Sequence, residues 1–336
     1  MTQGVRGIRG PTLRCGPGDT IDTSGAGPVT PTVRDRRRHA RTALASAALV
    51  AALGLTACST ATPEQSGGAS GQPGDASGSA AAGSTAAAQF GHVHGMGMDP
   101  AAGVVYVATH HGLFRSTGGA LARVGDSGRD LMGFTVAGPG ILLSSGHPGP
   151  GEQGPNPLGV IESRDAGETW TELGLGGSVD FHALEIGADA VYGYDATNGV
   201  LRASPDGGRN WETRGELVAL DIAAAPSDPT RVLATVPGGV ASSADGGRSF
   251  GAPTGPQLTN LSWANDGVVY GISLDGRLFA SADRGASWQQ TGAAPGGRPQ
   301  ALTAIADPGA STDLLIATSG GLYRSQDAGR SVVPLA

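Results

Sequence analysis

Ser163-Arg164-Asp165-Ala166-Gly167-Glu168-Thr169-Trp170 decides the reading of this sequence, because the chain repeats it. The pattern Ser-x-Asp-x-Gly-x-x-aromatic returns at Ser204 to Trp211, Ser243 to Phe250 and Ser281 to Trp288. Ser325 to Val332 keeps Ser325, Asp327 and Gly329 but loses the aromatic, and Ser116-Thr117-Gly118-Gly119 is a degenerate first copy. Asp165, Asp206, Asp245, Asp283 and Asp327 are spaced by 41, 39, 38 and 44 residues. Short apolar runs precede the turns at 104–109, 141–145, 191–194, 232–236, 268–272 and 314–318, and no helical periodicity intervenes. Several short strands at a period near forty indicate a β-propeller. Phe90 to Ala336 spans 247 residues, which six such units fill with none left for a seventh. The expected fold is therefore all-β: six four-stranded antiparallel blades. Within each turn the Asp accepts backbone amides, the Gly supplies positive φ, and the aromatic packs between sheets. These aspartates are expected to be structural.

The turn resembles the Asp-box, or BNR repeat, of sialidases, sortilin-type receptors and many bacterial propellers. The chain as a whole is similar to bacterial Asp-box lipoproteins labelled sialidase or glycosylhydrolase. The resemblance covers the entire folded body and implies the propeller; it says little about chemistry, since one fold hosts many activities. Sialidase catalysis would need an arginine cluster for a carboxylate, a Tyr–Glu nucleophile pair and an acid/base Asp. Arg115, Arg202 and Arg324 lie in the strand before the turn, and Arg209, Arg248 and Arg330 lie in the turn itself. Both groups fall on the wrong half of the blade, leaving Arg129, Arg277 and Arg298 near a ligand face, and the tyrosines fall in or beside strands. A sialidase is not expected.

The segment ahead of the repeats reads as export machinery. A basic run, Arg34 to Arg41, is followed by the mainly apolar stretch Thr42 to Leu55 and then by Leu55-Thr56-Ala57-Cys58. That order is a signal peptide too short for a comfortable membrane span, and its end resembles a bacterial lipobox, which implies lipidation of Cys58. The expected organisation is 1–33 unstructured, with translation starting later, near Val33; 34–57 signal peptide; 58–89 lipid-anchored flexible linker; 90–336 propeller. The linker is Ser, Gly, Ala, Thr, Gln and Pro, a composition that cannot offset ordering entropy. The protein is then expected on the outer face of the cytoplasmic membrane, held there by lipid alone. From residue 58 onward 14 Arg face 26 acidic residues, a formal charge of −12, and the chain has no Lys. Such a body excludes nucleic acid as a natural partner. Glycine runs without a following helix exclude a nucleotide cofactor, and the two cysteines cannot build a disulfide framework.

The histidines carry the functional signal. His39 lies in the export segment; His92, His94, His110, His111, His147 and His182 all fall in the first three blades. In an antiparallel blade the start of the first strand and the end of the second share one edge, opposite the Ser-x-Asp turn. Aligning the innermost strands gives the column His94, Met132, His182, Val218, Thr259, Gln300, and two residues earlier His92, Asp130, Asp180, Glu216, Gln257, Arg298. His110 and His111 end the second strand of blade one, and His147 that of blade two. All six are thus expected on one sector of one face, beneath the insertion 148–158. Imidazoles with carboxylates and a thioether suit copper or zinc. The expected ligands are His92, His94 and His182, completed by His110, His111 or His147, with Asp130, Met132 and Asp180 as further ligands or orienting groups. The alternatives are a glycosylhydrolase-like or metal-dependent hydrolase using Asp180 or Glu152 for proton transfer, and a scaffold binding a protein or glycan without catalysis.

Overall fold

The computed structural model describes residues 90–306 and 311–335. The expected signal segment, lipidated Cys58 and linker lie outside these residues. Among the described residues no helix is long and apolar enough to cross a membrane.

Six antiparallel sheets are built from consecutive segments. Blade one is β1 (Val93–Met98), β2 (Val105–Thr109), β3 (Gly112–Thr117) and β4 (Ala120–Arg123). Blade two is β5 (Asp130–Gly138), β6 (Ile141–His147), β7 (Val160–Ser163) and β8 (Thr171–Gly174). Blade three is β9 (Phe181–Ile186), β10 (Val191–Asp195), β11 (Val200–Ser204) and β12 (Glu212–Glu216). Blade four has three strands, β13 (Ile222–Ala224), β14 (Val232–Val236) and β15 (Gly239–Ser243), its outer edge completed only by a bridge between Val240 and Thr254. Blade five is β16 (Leu258–Trp263), β17 (Val269–Ser273), β18 (Arg277–Ser281) and β19 (Gln289–Ala293). Blade six is β20 (Pro299–Ile305), β21 (Asp313–Thr318), β22 (Gly321–Ser325) and β23 (Val333–Pro334). The first strands β1, β5, β9, β13, β16 and β20 each pack on the next, and β20 packs on β1. The ring is closed.

The second strands read as apolar runs because both faces are covered by neighbouring sheets: β2, β10 and β17 are buried at every residue. The core is a series of layers between blades. One layer joins Tyr106, Leu113 and Val124 of blade one to Leu131, Phe134 and Leu142 of blade two. The outermost strands are mostly exposed and carry Arg123, Glu172, Glu212 and Gln289, which discourages edge pairing.

The five clear turns share one hydrogen-bond set. In the third, Gly247 N–H donates to Ser243 Oγ at 2.8 Å, Ser243 Oγ donates to Asp245 Oδ1 at 2.8 Å, and Ser249 supplies its N–H to Oδ1 and its hydroxyl to Oδ2 at 2.9 and 2.6 Å. Thr169, Asn210, Ser287 and Ser331 play the part of Ser249 in the other copies. The repeat therefore contains a donor side chain four residues after the Asp, which the eight-residue pattern leaves unspecified. The glycine has a second reason beyond its φ of 81°: a Cβ on Gly247 would lie 2.3 Å from Leu201 of the preceding blade.

Among the described residues no terminal strand is exchanged to close the ring. Side chains do it: Thr303 Oγ1 donates to Met96 O at 2.7 Å, and Gln300 Oε1 accepts from Val93 N–H at 3.3 Å. A shared layer of Phe90, Val93, Val107, Ala301, Leu315 and Leu322 backs these bonds.

One expectation needs correction. The inner strand of blade four begins at Ile222, so Leu220, not Val218, aligns with His94 and His182; Val218 and Leu220 are 73% and 65% exposed. The connection 217–221 is a loop whose apolar residues imitate a strand.

Candidate metal centre

The inner strands carry bulges where they meet the face. Val93 pairs with Thr109 and Gly95 with Ala108, so His94 is the extra residue of β1. His182 is the extra residue of β9, Thr259 of β16 and Gln300 of β20, and β5 slips at Met132-Gly133. A bulge re-aims its side chain. Here it brings His94 beside His110, which follows β2, and beside Asp130 at the start of β5. Gly146 allows that placement: its φ is 132°, and a Cβ there would lie 1.9 Å from the carbonyl oxygen of Asp130.

Two groups result. In the first, His94 Nε2 lies 3.3 Å from His110 Nδ1 and 3.2 Å from Asp130 Oδ1, and His110 Nδ1 lies 2.9 Å from Asp130 Oδ2. One donor atom from each of the three lies within 4.8 Å of the others. Asp130 Oδ1 is buried and makes no hydrogen bond, although His94 Nε2 stands 3.2 Å from it. Burial would raise the Asp130 carboxyl, but contact with the two imidazoles and their charge outweigh it and hold it at about 2. The His110 side chain is 43% exposed, so the group opens to solvent.

The His92 ring packs 4.8 Å from that of His94 and 5.8 Å from that of His110. Burial, aided by those neighbouring imidazoles, lowers its pKa from 6.5 to about 4 and keeps it neutral. Gln300 fixes its tautomer. Because Gln300 Oε1 accepts from Val93, its Nε2 donates to His92 Nδ1 at 3.0 Å. His92 Nδ1 is thereby occupied, and the residue buttresses His94. Gln300 stood in the aligned column without being singled out; its polar character at a channel-facing position was the signal.

In the second group, Asp180 Oδ2 lies 3.1 Å from His182 Nε2 and 3.4 Å from His147 Nε2. Its hydrogen bond to Asp180 raises the His182 pKa against the effect of burial. Asn156, from the 148–158 insertion, sets its Oδ1 2.7 Å from His147 Nδ1. Asp130 and His147 are direct partners across β5 and β6, so the two groups are neighbours.

The remaining candidates lie elsewhere. His111 is exposed, with its ring 6.4 Å from that of His110. Met132 is half-buried in the β5 bulge. Glu152 ties the insertion down: it accepts from Arg129 Nε at 2.7 Å and Ser127 Oγ at 2.8 Å. In blades four to six the aligned residues do local work, with Gln257 bonding Gly238 and Val236. Asp165, Asp206, Asp245, Asp283 and Asp327 all sit in their turns.

His92, His94 and His182 open onto a central channel of about 420 Å³. Deeper in, it is lined by Thr135, Glu185, Asp221 and Asn260. Burial and the Asp221 charge push Glu185 well above the usual carboxylate range, and burial pushes Asp221 to about 7 despite backbone N–H groups of Leu261 and Ile222 that favour its charged form.

No family model matches the sequence, and no curated protein matches it. Solved structures do. A gluconolactonase from Xanthomonas campestris superposes with a TM-score of 0.55 at 14% identity, over 69% of this chain and 85% of that one. The protein is a six-bladed β-propeller. An ancestral GH74 enzyme matches with a TM-score of 0.48 at 17% identity over 69% of this chain, which spans only 36% of that one. The GH74 enzyme of Niastella koreensis gives 0.38 at 19%, over 69% and 42%. Identities this low speak for the fold alone.

Proposed function

We propose that this is an exported Asp-box lipoprotein whose propeller binds a transition-metal ion, zinc or copper, through His94 Nε2, His110 Nδ1 and Asp130. The observation that carries the reading is that two imidazole nitrogens and the Asp130 carboxylate bring one donor atom each within 4.8 Å of one another, and that the carboxylate's buried Oδ1 makes no hydrogen bond. Such an oxygen is costly unless a cation or water completes it. Two imidazoles and a carboxylate are borderline donors that suit Zn²⁺ or Cu²⁺, and three protein ligands leave a position open. His92 and Gln300 hold the His94 ring in place, as supporting groups do in metal sites. Lipidation at Cys58 would keep this face outside the membrane. Glycoside hydrolysis is the weaker reading, since Glu152 is engaged by Arg129 and Ser127. Protein or glycan binding on the His-bearing face remains compatible with the metal.

Ligand binding to the native state stabilises it by mass action, about 2.7 kcal/mol at a hundredfold excess over Kd. Adding Zn²⁺ or Cu²⁺ to chelator-treated protein is therefore expected to raise its melting temperature, and Asp130→Asn to abolish most of that rise. An unchanged melting temperature for both metals would refute the reading.

A further inference from the structure

We propose that Asp180, His147 and His182 form a second, separate position for a divalent transition-metal ion, so that the face holds two ions. The proposal rests on the metal reading of the neighbouring group only for the class of ion. Its geometric grounds are its own.

Asp180 is only 9% exposed, and its Oδ1 is buried without a hydrogen-bond partner. The other oxygen faces two imidazole Nε2 atoms, at 3.1 and 3.4 Å. His147 Nδ1 lies 2.7 Å from Asn156 Oδ1, an acceptor, so Nδ1 carries a hydrogen and Nε2 is the ring nitrogen that faces the carboxylate. A divalent ion at this point would be held by Nε2 and Asp180 together, and Asn156 acts as the partner that orients a ligand imidazole. Both imidazole side chains are 40% exposed, which leaves them free to turn onto an ion. The bulge at His182 and the insertion bearing Asn156 are the features that build this group.

The test is metal stoichiometry of the full-length protein in detergent, titrated with Zn²⁺ after chelator treatment. Wild type is expected to bind two equivalents. His147→Gln with His182→Gln is expected to lose one and keep the equivalent held at Asp130; His94→Gln with His110→Gln is expected to lose the other. Asn156→Leu should weaken the second equivalent, and Asn156→Asp, which keeps the acceptor, should restore it. If the His147/His182 variant binds as many ions as wild type, the proposal fails while the Asp130 reading stands. A loss of zinc by the His147/His182 variant alone would overturn the Asp130 reading and leave this one. Anomalous scattering from zinc-soaked wild-type crystals needs no variant: a peak beside Asp180 is expected, and a single peak beside Asp130 overturns the proposal.

Discussion

Asp130 and His92 are perturbed in ways that bear on acid sensitivity and on metal affinity. In the proposed site Asp130 is a ligand and not a support. Its replacement by Asn is expected to weaken zinc binding by more than the roughly 10–100-fold that losing a supporting partner costs, as measured by competition with a chelating dye. His92 titrates at about 4 in the folded protein against an ordinary 6.5. Between those values the unfolded chain binds a proton that the native state refuses, so this residue's contribution to stability falls as the pH drops from about 6.5 to about 4. Urea midpoints at pH 7 and pH 4.5 should differ less in His92→Gln than in wild type; an equal difference would assign the acid sensitivity elsewhere. At this scale the sequence was partly readable. Counting histidines by blade points to one face, because strand ends in a blade alternate between edges. Their sorting into a His94–His110–Asp130 group and an Asp180 group was not readable, since period-two alternation carries no sign of a bulge. The engagement of Glu152 by Arg129, 23 residues away, leaves no local pattern either.

The repeated turn is where element and packing meet. Gly247→Ala is expected to cost roughly 2–4 kcal/mol, combining a left-handed non-glycine residue with overpacking against Leu201. Chemical denaturation measures it, and a cost below about 1 kcal/mol would mean that Leu201 gives way freely. The turn aspartates Asp206, Asp283 and Asp327 are held at about 2 by side-chain and backbone donors four residues on, with the serine two residues before adding to them. Depressed carboxylates contribute stability above their unfolded pKa of about 3.9, lost as the pH falls toward 2. Acid unfolding should therefore show a step below pH 4 that shrinks in Asp283→Asn. The turns and second strands stood out in the sequence because their Ser, Asp and Gly recur and their neighbours are buried on both faces. Blade four was misread by two residues because Val218 and Leu220 are apolar in an exposed loop.

At the scale of the molecule, ring closure among the described residues rests on the contacts between β1 and β20. Thr303→Val removes the bond to Met96 O and should cost about 0.5–1.5 kcal/mol. Because β20 also carries Gln300, closure and site are linked: Gln300→Ala should lower both the melting temperature and zinc affinity, whereas an effect on the first alone would separate them. Closure puts six inner strands around one channel, and only the sector of blades one to three carries imidazoles. The most direct measurement of the central claim is the metal content of full-length protein after exhaustive dialysis, wild type against His94→Ala with His110→Ala. Wild type should retain zinc or copper in stoichiometric amount, and the variant should lose the ion held at Asp130. Equal retention by folded wild type and variant, or a wild type free of metal after loading, would contradict it.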